Sequence, residues 1–329
     1  MKRKDKDKER LPIIQFMSAG SSGKRLTEKV MAEVGRVLEG REFSSVEEMN
    51  KFLEQVMTPE GKIPLSRERT PEEKAQDLIY DAWEMEDKKS RIRLAEQALE
   101  LWPDCADAYV ILAEDKAKSL EEAKEFYERG VRAGERSLGP ETFEKQAGHF
   151  WGIIKTRPYM RARAGLARCL WKLGQRSEAI DHLQDMLRLN PGDNQGLRYE
   201  LINWLLYEGR DKEARALLNS YKGDPTAFWL YSEALWLFRH EGPSNRANRA
   251  LKEAMEENDF VPSYLLGKKK LPRHLPEAYV LGEESEAIVY ADLALEVWRH
   301  TPGAREWLAT SFFWFNLFPR LPLKNAGLK

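Results

Sequence analysis

Apolar residues in this chain fall at helical spacing in blocks punctuated by glycine and proline, and the blocks recur about every 34 residues. The clearest block runs from Met160 to Pro191. Leu166, Ala167 and Leu170 form a first apolar face, Gly174 ends it, Ala179, Leu183 and Met186 form a second, and Pro191 closes the unit. One further step from Pro191 lands on Pro225, and another lands on Asp259 beside Pro262. A single helix pair cannot bury its own apolar stripe, so such pairs must lean on their neighbours. No stretch alternates with period two, so strands are not predicted. The predicted class is all-α, an α-solenoid of helix pairs with a helical extension at its N-terminal side.

The same pattern divides the chain. Nine of the first ten residues are charged, and 1–19 is expected to be a mobile tail with little to bury. Over 20–60 a helical pair is expected. Leu26, Val30, Val34, Val37 and Leu38 line its first helix; Val46, Met49, Phe52, Leu53 and Val56 line the second, after a Ser44-Ser45 start. Residues 61–70 read as a linker. Thr70-Pro71-Glu72-Glu73 combines a cap, a first-turn proline and acids facing the helix dipole, and opens the solenoid proper, 71–309. Irregular segments are expected near 135–157, with Gly139-Pro140 and His149-Phe150-Trp151, and near 262–282, with Lys268-Lys269-Lys270. Thr301-Pro302 is read as opening the last helix. Residues 310–329 read as an aromatic cap and tail: the Phe312–Phe318 run closes the open end of the stack, or meets a membrane surface or a second copy.

Bulk properties narrow the picture. At 329 residues and 42% hydrophobic the chain can build a core, and 53 basic against 54 acidic residues leave no global attraction to nucleic acid. Cys105 and Cys169 sit at apolar helical faces without C-x-x-C spacing and read as buried thiols in a reducing compartment. No run of 18 apolar residues occurs, and Leu11–Met17 is too short for a secretory signal, so a cytoplasmic location is expected.

Ala167, Gly174, Ala179 and Pro191 fall where the tetratricopeptide repeat has its small residues, glycine and proline, although Arg163 stands where that pattern has tryptophan. Two blocks are more distinctive: A-D-A-Y-V-I-L-A-E-D-K-A-K-S-L-E-E-A-K-E-F-Y (106–127), and N-D-F-V-P-S-Y-L-L-G-K-K-K-L-P (258–272) followed by G-E-E-S-E-A-I-V-Y-A (282–291). In these the chain resembles the suppressor-of-tumorigenicity-seven family and its bacterial relatives, over about residues 72–308. The resemblance implies a helical-repeat fold and names no catalytic residue.

Charge supplies the candidate site. Between Glu144 and Glu178 there is no acid, but there are Lys145, Lys155, Arg157, Arg161, Arg163, Arg168, Lys172 and Arg176. In helix-pair repeats the first helix of each pair lines the concave groove. This register puts Arg161 and Arg168 there, followed by Gln195, Arg198, Tyr199, Trp229, Trp236 and Arg239. Arginine forks match carboxylates, and aromatic walls exclude water from the contact. The reading is a non-catalytic protein-binding scaffold whose groove takes an acidic or C-terminal carboxylate peptide. Against it stands internal pairing of the same arginines with Asp181, Asp185 or Glu200.

Two other classes use the same region. Trp151, Tyr159 and Trp171 could stack the bases of a single-stranded nucleic acid. An enzyme or nucleotide-handling protein would centre on the 135–157 insert and His149. Gly20-Ser21-Ser22-Gly23-Lys24 has the wrong spacing for a phosphate loop and reads as a flexible linker. His149, His182, His240, His274 and His300 lack metal-ligand spacing, so neither metal nor cofactor is expected.

Overall fold

The computed structural model describes residues 22–56 and 68–317, and among these every regular element is helical. The expected tail 1–19, most of the expected 61–70 linker and residues 318–329 lie outside the described residues. The chain forms two compact units that divide between Asn194 and Gln195.

The first unit begins with α1 (Ser22–Leu38) and α2 (Val46–Val56). Three pairs follow: α3 (Pro71–Glu84) with α4 (Lys88–Leu101), α5 (Ala106–Asp115) with α6 (Leu120–Lys145), and α7 (Arg157–Lys172) with α8 (Arg176–Leu189). Local chemistry sets the starts. The Thr70 hydroxyl accepts from the Glu73 N–H while the Glu73 carboxylate accepts from the Thr70 N–H, a reciprocal cap with Pro71 in the first turn. Asp87 and Ser119 cap α4 and α6 through the N–H groups of Ser90 and Glu122. Gly174 turns the chain between α7 and α8 at φ 81°, a conformation side chains resist.

Packing within the unit follows the predicted scheme: the two helices of each pair meet, and consecutive pairs meet through α4 and α5 and through α6 and α7. Ala75, Ile79 and Ala82 of α3 share one buried cluster with Ala95 and Ala98 of α4 and Ala108, Ile111 and Leu112 of α5. Each large aliphatic side chain so buried contributes about 1.5–3 kcal/mol, and the alanines let the helices come close. The tightest approach joins α6 to α7, where the Tyr127 ring lies directly over Gly165.

In the second unit α9 (Leu197–Tyr207) pairs with α10 (Asp211–Ser220), and α11 (Ala227–Glu241) with α12 (Asn245–Glu257). The short α13 (Val261–Leu265), then α14 (Glu284–His300) and α15 (Ala304–Leu317), complete it. Helix α14 packs on α9, α11 and α13. Its interior is aromatic: Phe228 meets Tyr199, Tyr279 and Tyr290, and Trp307 stacks on both Phe238 and Trp298. The distinctive 258–272 and 282–291 blocks meet at a buried carboxylate. Glu286 accepts from Asn258 at 2.9 Å, from the N–H of Gly282 at 2.9 Å and from the N–H of Ala227 at 2.9 Å. That last bond satisfies a first-turn donor of α11.

Several sequence expectations shift. Ser22-Gly23-Lys24, read as part of a flexible linker, are the first turn of α1. The opening helices of the pairs begin at 71, 106, 157, 197, 227 and 284, so the repeat interval is not constant. Helix α6 continues through a kink at Gly139 (φ 69°) and Pro140, and two 3-10 turns precede α7. The segment read as irregular from 262 begins inside α13, because Pro262 sits in a first turn where its missing N–H costs nothing. The last helix starts at Ala304, two residues beyond Pro302, after Gly303 at φ 78°.

Candidate functional site

Helices α3, α5 and α7 open their pairs and lie side by side, with α5 packed against both α3 and α7. On α3, Gln76, Tyr80 and Trp83 follow one another at helical spacing. Asp107 sits in the first turn of α5, and Arg157 and Arg161, four residues apart, share one face of α7. Helix α1 lies over this face and lowers Glu28 into it.

The result is a buried carboxylate–arginine cluster. Arg161 donates from Nη1 and Nη2 to the two oxygens of Glu28, at 3.0 and 2.9 Å. From Nε and Nη2 it donates to Asp107, at 2.8 and 2.5 Å. Arg157 adds a 3.2 Å bond to Glu28, Tyr80 donates to Glu28 at 3.3 Å, and Gln76 donates to Asp107 at 2.9 Å. The Arg161 guanidinium also lies 5.0 Å from the centre of the Trp83 ring. Asp107 is fully buried, Glu28 is 4% exposed and Arg161 9%. Charges this deep persist only because each is met by a fork of fixed geometry.

The rest of the α1 seat is also ionic. Lys29 pairs with Asp81 at 2.7 Å, Arg36 with Asp77 at 3.2 Å and Glu73 at 3.3 Å, and Arg69 ties Glu33 to Asp77. Of the apolar positions expected to bury α1, Val37 is buried and Val34 and Leu38 are half-buried, whereas Val30 is 52% exposed and the neighbouring Met31 49%. Ion pairs along its polar edge therefore add to the burial of Val37, and charge state bears on the docking.

Burial pushes the Glu28 carboxyl up, but the Arg161 and Arg157 guanidinium groups more than offset this and hold it below the ordinary carboxylate range. A depressed folded-state pKa gives stability that is present above the unfolded value and lost as pH falls through the folded one. Asp77 and Glu286 are displaced upward, burial outweighing their partners, so their contributions run the other way. A comparison isolates Glu28. The urea midpoint of the native chain should fall more on acidification than that of Glu28→Gln, which has already lost the titrating group. Equal falls in the two chains would remove Glu28 from the account.

The other sequence-selected residues take separate places. Arg168 is half-buried on α7, near enough to Tyr127 to bear on its ionisation. In the second unit Gln195 is half-buried. Arg198 donates to Asp224 at 2.8 and 3.0 Å and lies over the Tyr199 ring, while Trp229 is buried edge-on against Tyr199. Trp236 donates to the Asp211 carbonyl at 2.9 Å, and Arg239 pairs with the Asp211 carboxylate at 3.1 Å. Among the acids named as internal competitors, Asp185 takes Arg163. The partners of Arg161 come instead from α1 and α5. The sequence reading missed Glu28 and Asp107. Asp107 did leave a signal, an acid inside the apolar run A-D-A-Y-V-I-L-A, where an unpaired charge would be costly. Glu28 left none, since its partner is 133 residues away.

The residues of the two other readings are also placed. Tyr159 is buried and its hydroxyl, chiefly through that burial, is pushed up to about 12; Trp151 and Trp171 have Arg157 and Arg176 over their rings. His149 is exposed ahead of the first 3-10 turn. Among the described residues no group of three His, Cys, Asp or Glu side chains is arranged to hold a metal, and no helix is long and apolar enough to cross a membrane.

Residues 66–223 match the family model described as ST7 protein. This match includes the 106–127 block and ends before 258. The chain is 30% identical over 268 residues to the bovine (Bos taurus) suppressor of tumorigenicity 7 protein-like, covering 74% of this chain and 48% of that protein. For the human (Homo sapiens) counterpart the figures are 30%, 74% and 46%, and for the Drosophila melanogaster protein ST7 homolog 28%, 75% and 50%. The chain thus spans about half the length of the curated relatives it matches. Among solved structures, that of YrrB, described as a TPR protein with an unusual peptide-binding site, overlaps 55% of this chain and 85% of its own. Its TM-score is 0.41 and its identity 22%. With its helix pairs in place and the sequence relatives beside it, the chain is an all-helical protein related to the suppressor-of-tumorigenicity-seven family.

Proposed function

We propose that this chain is a non-catalytic, cytoplasmic protein-binding scaffold. On this reading the face made by α3, α5 and α7 takes a helical segment that presents a carboxylate. The observation that carries it is the double fork of Arg161. One edge is occupied by Asp107 of the array itself, while the other grips Glu28, which arrives on a separate helix. The face therefore already holds an acid-bearing helix, supplied in cis. A partner helix of the same chemistry would bind where α1 lies, and the ionic part of the seat makes the exchange sensitive to salt.

The test uses the full chain and a labelled synthetic peptide of residues 22–38. Glu28→Gln weakens the resident helix, so the peptide should bind this variant more tightly than the native chain by fluorescence anisotropy, and added salt should weaken it. A peptide carrying Gln at position 28 should bind the variant at least about tenfold more weakly, since a hydrogen bond to a charged group is worth about 1.5–3 kcal/mol. Equal affinity of the two peptides, or binding by neither, would overturn the assignment.

A further inference from the structure

A second surface lies within the second unit and owes nothing to the cluster around Arg161. In the last turns of α15, Phe313, Trp314 and Leu317 are 60%, 52% and 53% exposed. Their spacing puts them on one side of the helix. Beside them runs the loop that follows α13. The Lys268 ammonium sits 5.1 Å from the centre of the Phe312 ring, and Lys269, Lys270, Arg273 and His274 follow, all exposed. Glu284 engages Lys269 at 2.5 Å, while residues 267–276 contain no acid of their own. From Trp307 onward the sequence likewise carries no acid.

We propose that this aromatic and basic patch docks, reversibly and peripherally, on an anionic lipid surface. An amphipathic aromatic such as tryptophan is favoured at the headgroup boundary, and clustered lysines are drawn to anionic headgroups. Charge selects this occupant over a second copy of the chain. Self-association across a two-fold axis would set the patch against itself and bring two lysine loops of like sign together. An uncharged apolar partner would offer no counter-charge to Lys268 and Lys270. The patch is too small to anchor the chain permanently, so binding should depend on both the exposed rings and the charge.

Co-sedimentation of the full chain with phosphatidylcholine vesicles, with and without phosphatidylserine, tests this. The chain should pellet with the anionic vesicles and stay in solution with the neutral ones. Phe313→Ser with Trp314→Ser should abolish binding. Lys268→Gln with Lys270→Gln should weaken it about thirtyfold, given the ~1 kcal/mol that each lysine near the surface contributes. All four positions are exposed or at the surface, and far-UV circular dichroism should report an unchanged fold. Equal binding to neutral vesicles, no binding, or indifference to the substitutions would overturn the proposal. Concentration-dependent dimerisation that Phe313→Ser with Trp314→Ser abolishes, without vesicle binding, would also overturn it and assign the patch to a second copy.

Discussion

Replacing Arg161 with methionine is expected to lower the stability of the first unit by about 3–5 kcal/mol, the range for removing one partner of a buried ion pair. Methionine keeps much of the aliphatic stem and loses every donor. Glu28 and Asp107 would then face one another, both nearly inaccessible to water, with only Arg157, Gln76 and Tyr80 left to meet them. Urea denaturation followed by circular dichroism would measure the loss. The accompanying Glu28→Gln and Asp107→Asn substitutions should recover much of it, because the penalty comes from stranded charge rather than from a vacated volume. Arg161→Lys should fall between the two, since one ammonium cannot replace two planar forks. A loss below about 1 kcal/mol for Arg161→Met would mean that the cluster is no more than a surface pair in effect.

The second large effect is expected at Gly165. A Cβ built there would collide with the Cε1, Cζ and Cδ1 carbons of the Tyr127 ring, and α6 has further glycines at the same seam. A Cβ on Gly134 would meet the Tyr159 Cβ at 2.8 Å, and one on Gly130 would meet Ala162 and Tyr109 at 3.1 Å. Gly165→Ala should therefore destabilise by about 1–3 kcal/mol through overpacking, even though alanine is the better helix former by about 1 kcal/mol. A thermal melt reads the sign directly. A raised Tm would show that Tyr127 can swing aside. Adding Tyr127→Leu to Gly165→Ala should reclaim part of the loss by removing the ring carbons that the new methyl group meets.

These two sites mark how far the sequence could be read. Gly165 stands in the block M-R-A-R-A-G-L-A, and its neighbours Ala164, Leu166 and Ala167 announced a helix. Nothing local announced that a tyrosine from the preceding pair needs the space. Arg161 was selected because a long acid-free stretch demanded partners, and its fork does grip a carboxylate. Spacing points to partners in adjacent helices, where Asp185 does engage Arg163, and on a foreign peptide. A helix over a hundred residues upstream leaves no local mark. Apolar spacing predicts helix α1, and Val37 on that stripe is buried while Val30 is exposed. Amphipathic spacing reports only that one stripe differs from the other. It does not report which ions the polar stripe meets, and here the receiving surface offers Asp77, Asp81, Arg157 and Arg161.

By itself, then, the order of residues determined the all-helical class, the pairing of neighbouring helices and most of their starts, since spacing, caps and turn glycines act within a few residues. It also determined that a basic stretch would need acids. Only the tertiary structure decided which acids, by carrying Glu28 and Asp107 to one guanidinium, and it decided that the interval between pairs would stretch at 139–156 and 266–283. Ion pairing and close packing join residues by distance in space, and a linear pattern does not encode that distance until the helices have stacked.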